Sequence, residues 1–199
     1  MFEVFLFVNP IGIRCYESEC EIMAAIDQTS RKAIYHFVPL ANMVGIRADM
    51  RRRGLSHTNL MQFNEISNAT FSALHDYHAL KLSVGNKKAR RYLLLLQAEI
   101  NTHQAHYTQA LKRSLIQQLD VNFVQFTTAR QSRFIEQSMQ KDVDLAQKFK
   151  VINTPTTVIF DCDHDESGII FEGCVPREEL EAILTDHQSI VETNSLHLL

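Results

Sequence analysis

Phe2-Glu3-Val4-Phe5-Leu6-Phe7-Val8-Asn9-Pro10 opens the chain with a run of aromatic and β-branched residues that is apolar at six of its first seven positions. Such a run is too short for a membrane span and too continuous for a half-exposed strand, so it reads as a central strand covered on both faces. Pro10 and Gly12 stop it. From about Tyr16 to Thr29 the residues suit a helix, with Ile22, Met23 and Ile26 on one stripe. Ala33-Ile34-Tyr35-His36-Phe37-Val38-Pro39-Leu40 is a second strand, and together these segments make a βαβ unit.

Working outward, the strand signal vanishes from about residue 44 to residue 149 and helical pattern takes its place. Asn68 or Thr70 is expected to cap a helix carrying Phe71, Leu74, Tyr77, His78 and Leu82, which Gly85-Asn86 ends. A helix from Lys87 places Tyr92, Leu93, Leu96 and Ile100 together. Another covers Tyr107 to Leu119, Asp120 is expected to cap the next segment, and Phe134 to Phe149 offers Ile135, Val143, Leu145, Ala146 and Phe149 for burial. Strands return at Thr156 to Asp161 and Ile169 to Glu172, joined by an acidic turn through Ser167-Gly168. Pro176 opens a last helix with Leu180, Ile183 and Leu184 inward. The tail beyond about Ser189 is expected to be loose.

Neither the first two strands nor the last two can cover themselves, so strands from both ends must share one mixed sheet. The expectation is an α/β fold with a discontinuous sheet domain, residues 1–43 and 150–189, an all-helical insertion at 44–149 and a tail at 190–199.

Composition narrows the function classes. In 199 residues with a net charge of −3, there is no electrostatic case for a nucleic-acid partner. The runs Arg51-Arg52-Arg53 and Lys87-Lys88 with Arg90-Arg91 read as helix faces or helix ends. No secretory signal is visible, since the apolar start lacks a basic lead and contains Glu3. Cys15, Cys20, Cys162 and Cys174 follow no CxxC spacing and are expected to be reduced thiols. These features point to the cytoplasm.

Two stretches carry a family resemblance. Leu6-Phe7-Val8-Asn9-Pro10-Ile11-Gly12-Ile13-Arg14-Cys15 resembles the strand and loop that lead into the CxxC helix of the DsbA family, thioredoxin-fold proteins with a helical insertion. Val151-Ile152-Asn153-Thr154-Pro155-Thr156-Thr157-Val158 is similar to that family's cis-proline loop, which implies a cis Thr154-Pro155 bond. A narrower resemblance runs through Asn64-Glu65-Ile66-Ser67, the helix from Lys87 to Gln97 and Glu166-Ser167-Gly168 to Gly173-Cys174-Val175-Pro176. It is to the SpxH group of Firmicutes, adaptors that present the regulator Spx to the ClpXP protease. That resemblance implies a non-catalytic protease adaptor in stress response, with an Spx-like client and ClpXP as protein partners.

Where the family has CxxC, this chain has Gly12-Ile13-Arg14-Cys15. Disulfide exchange needs an attacking thiolate and a resolving thiol, and Gly12 has no side chain at the attacking position. Cys15 sits in the first helical turn, where backbone N–H groups can acidify a thiol; it is either packed or a single reactive thiol. The enzyme alternatives are therefore a one-thiol redox protein, or a kappa-class glutathione transferase or isomerase with Asn9 and Thr154 as polar contacts. His75-x-x-His78 and His103-x-x-His106 have chelating spacing but no evident third ligand, so no metal or other cofactor is expected. The binding reading rests on a surface near Pro155 flanked by Ile11, Ile13 and Arg14.

Overall fold

The computed structural model describes residues 1–56, 58–163, 168–185 and 196–198. One mixed sheet has the order β2-β1-β3-β4-β5. Its strands are β1 Phe2–Val8, β2 Ala33–Pro39, β3 Thr156–Asp161, β4 Gly168–Glu172 and β5 Leu196–Leu198. β1 lies parallel to β2 and antiparallel to β3, so the first and last segments of the sequence meet at the centre of the sheet. Helix α1, Ile13–Gln28, links β1 to β2, and α8, Arg177–Thr185, follows β4.

Between β2 and β3 the described elements are all helices: α2 Met43–Arg52, α3 Leu60–Val84, α4 Asn86–Asn101, α5 Gln109–Gln118, α6 Phe123–Arg130 and α7 Phe134–Lys148. The α/β class with a large helical insertion therefore stands as read from the sequence. The alternation of side chains along β1 explains how the insertion attaches. Phe2, Val4, Leu6 and Val8 join a core with Ile22 of α1, Leu180 and Leu184 of α8, and Tyr77, Leu80, Tyr92 and Leu96 of the insertion. Phe7, on the other face, packs with Val38, Val158 and Ile170 under Ala146 of α7 and the adjoining Phe149. The insertion thus straddles the β2 edge, with α3 and α4 on one side and α7 on the other.

Several expectations need correction. The long helix starts at Leu60, because Asn59 accepts hydrogen bonds from the Met61 and Gln62 amides. Thr70 lies inside that helix and turns its hydroxyl back to the Ile66 carbonyl, a bond that costs the helix little. Asp120 does not cap: it leaves α5 with φ 51°, and Asn122 caps α6 through the Val124 and Gln125 amides. Val143 and Leu82 stay exposed. Three residues of the tail expected to be loose form β5 against β4. The acidic turn from 164 to 167 and the tail at 186–195 and 199 lie outside the described residues.

Candidate functional site

The loop after β1 is held by its own polar groups. Asn9, buried, accepts from the Ile11 amide at 3.1 Å, and its own amide donates to the Cys15 sulfur at 3.1 Å. Gly12 is the N-cap of α1 and offers no side-chain cap. That leaves an orphan N–H at Ile13, which a distant residue satisfies: Asp49 of α2 accepts it at 3.0 Å. Arg53 donates to the other oxygen of Asp49 at 2.7 Å and, through its guanidinium, to the Ile11 carbonyl at 2.6 Å and to Asn101 at 2.7 Å. The clamping role of Asp49 in α2 and of Arg53 at its C-cap is not visible in the sequence, because neither residue has a local feature that marks it.

Facing this loop, Thr154-Pro155 is cis, as the resemblance implied. Thr154 is buried, its hydroxyl favours the Cys15 thiolate, and Arg52 donates to its carbonyl at 3.3 Å. Gly12, Cys15, Thr154 and Pro155 are therefore brought together. The partner-contact set is more divided. Arg14 is exposed and Ile13 half-buried, but Pro155 is buried, and Ile11 is only 4% exposed. Ile11 faces the insertion, lining a cavity of about 320 Å³ with Ile66, Ala69 and Ile100. Exposed apolar side chains occur instead at Ile152, just before the cis-proline loop, and at Met43 and Val44, next to Gly45, which abuts Thr154. Nothing in their sequence context distinguishes them from core residues.

Thiol chemistry has poor footing here. Cys15 is 1% exposed, and burial pushes its thiol up to about 12, outweighing the Asn9 amide and Thr154 hydroxyl that favour the thiolate. The Gly12 position is also tight, since a Cβ there would lie 3.0 Å from that of Asn9 and 3.1 Å from the Cys15 sulfur. At pH 8 such a thiol is roughly one part in ten thousand thiolate. Iodoacetamide is therefore expected to leave Cys15 unmodified in the native protein and to label it once denaturant is added, as read by peptide mass spectrometry. Native labelling at the pace of exposed Cys20 would show an accessible, acidic thiol instead.

The two histidine pairs lie in different surroundings. His78 is buried, pairing with the Ser138 hydroxyl at 2.8 Å, while His103 and His106 lie exposed beside Glu99 and Glu65. Among the described residues, no three His, Cys, Asp or Glu side chains converge as metal ligands.

A thioredoxin family model matches residues 5–182, most of the chain and both halves of the sheet. The chain belongs to the thioredoxin family. Within it the architecture is of the DsbA type. A probable DsbA oxidoreductase from Streptomyces coelicolor superposes with a TM-score of 0.65 at 10% identity, over 99% of each chain. A putative protein disulfide isomerase from Nitrosomonas europaea gives 0.65 at 14% identity, over 92% of this chain and 95% of that one. At such identities the likeness is one of fold. In sequence, this thioredoxin-family chain resembles the ClpXP adapter protein SpxH of Staphylococcus saprophyticus, at 22% identity over 87% of its length. The same protein of Staphylococcus aureus is 24% identical over 87%. The chain spans about 61% of the length of these two relatives. Among the described residues, no helix is long and apolar enough to cross a membrane.

Proposed function

We propose that this protein is a non-catalytic adaptor that binds an Spx-like transcription regulator and promotes its degradation by ClpXP in the cytoplasm. The observation that carries the reading is the combination at one site. The chain resembles SpxH over 87% of its length, and the family's redox position is occupied by Gly12 beside a buried, high-pKa Cys15. Adaptor action needs a surface that holds a client, not a nucleophile. A kept scaffold with an unreactive thiol supports it better than a one-thiol or glutathione enzyme, for which Asn9 and Thr154 would have to be free. Both are buried, Asn9 holding the loop through the Ile11 amide and Thr154 lying beside Cys15.

The client contact in this reading is the face of the cis-proline loop. Arg14 and Ile13 supply side chains, Ile11 and Pro155 supply the backbone shape, and exposed Ile152 extends the surface. The test is a pull-down of the cognate Spx-like regulator by the protein, repeated with Arg14→Glu. Capture is expected, and it is expected to weaken about thirtyfold in the variant, a central charged hot spot being worth about 2 kcal/mol. Failure of the parent protein to capture the regulator, or retention on glutathione resin with conjugating activity, would contradict the reading.

A further inference from the structure

β2 is the edge strand of the sheet, and among the described residues no strand pairs with its outer side. Which backbone groups face outward follows from the hydrogen bonds it does make. Lys32 accepts from the Phe2 amide and Leu40 donates to the Val8 carbonyl, so the even-numbered residues address β1. Successive residues of a strand present their N–H and C=O to opposite sides, so Tyr35 and Phe37 point theirs away from the sheet. One of these four groups is taken, the Phe37 carbonyl, which accepts from the Tyr77 hydroxyl at 3.3 Å.

This edge opens into a cleft of about 730 Å³ between the two arms of the insertion. Tyr77, Lys81, Arg90 and Leu94 form one wall, and Asp142 and Leu145 of α7 the other. The cleft is cationic. Lys81 is matched by Asp142 at 3.1 Å and Arg90 by Glu19 at 3.1 Å. Lys87 and Arg91, both exposed at the mouth, have no ion pair among the described residues.

We propose that the cleft along the outer edge of β2 binds an extended acidic segment of a protein partner, which joins the sheet as an added strand. Strand addition supplies affinity through main-chain hydrogen bonds, here to the Tyr35 amide and carbonyl and the Phe37 amide. Carboxylates on the segment would meet Lys87 and Arg91 of α4, while the alternate apolar side chains, on its other face, would meet Leu145 of α7. A second copy of this chain is a poor occupant, because it brings the same cations to the same edge. The site is separate from the cis-proline face and does not depend on the adaptor reading.

The test uses a fluorescein-labelled peptide of alternating Glu and Val and contains neither client nor protease, so its outcome is independent of the adaptor reading. Binding is expected, weakening at least about tenfold in Lys87→Glu/Arg91→Glu and falling with salt. A peptide N-methylated at alternate backbone nitrogens, and one with Lys in place of Glu, are expected not to bind. In the complex, the Tyr35 and Phe37 amides should gain protection from hydrogen exchange by NMR, while those of Ile34 and His36, already directed at β1, should not change. No binding, or binding without protection at Tyr35 and Phe37, would overturn the proposal. So would equal competition by a single-stranded oligonucleotide, which would make the cleft a general polyanion site.

Discussion

Asp76→Ala is expected to destabilise the protein by about 3–5 kcal/mol in urea unfolding, the cost of removing one member of a buried ionic group. Asp76 is fully buried on α3 and serves four other segments. Its carboxylate accepts from Arg130 of α6 at 2.6 Å, from Lys112 of α5 at 3.0 Å, from Tyr92 of α4 at 3.2 Å and from Tyr107 in the loop before α5. Without it Lys112, itself almost wholly buried, loses its carboxylate partner, and two tyrosine hydroxyls lose their acceptor. Asp76→Asn keeps the shape and should cost less than alanine, though still more than 1 kcal/mol, because the charge is what matches the two cations. A loss below about 1 kcal/mol for alanine would mean that these groups find other partners.

The second large effect is at the loop itself. Asp49→Ala is expected to cost about 2–3 kcal/mol, since it removes the acceptor of the Ile13 amide and the counterion of Arg53 at once. The loss should be uneven across the molecule. Amides from Ile11 to Arg14 should exchange faster with solvent in the native state, because Arg53, no longer anchored, also holds the Ile11 carbonyl. Asp49→Asn retains an acceptor and should recover much of the protection at Ile13. Unchanged exchange in this loop with Asp49→Ala would show that Asn9 and the α1 dipole hold it unaided.

The parts of the fold that announced themselves in sequence are those whose cause is local. β1, β2 and β3 are runs of aromatic and β-branched residues bounded by proline or polar turns, and Tyr92, Leu93 and Leu96 show their buried face by spacing alone. α2 does not stand out as a helix, because Gly45 and two closing arginines dilute its pattern, and it is tied to the β1 loop and to Thr154 by hydrogen bonds. Asn59 and Asn68 are equally good caps by residue type, and only the packing of the whole α3 helix selects the first. β5 is too short to register, its pairing being set by β4. At the site, Gly12, Cys15 and Pro155 were legible through the family resemblance. The burial of Ile11 and the Asp49–Arg53 clamp were not, because both are made by residues more than 30 positions away.

The central claim is that the protein promotes proteolysis of a client without thiol chemistry. The direct measurement is the rate at which ClpXP degrades the cognate Spx-like regulator with and without this protein, repeated with Cys15→Ser. The account predicts faster degradation in the presence of the protein, to the same extent for parent and variant. Degradation no faster than by ClpXP alone, or acceleration that disappears with Cys15→Ser, would contradict it.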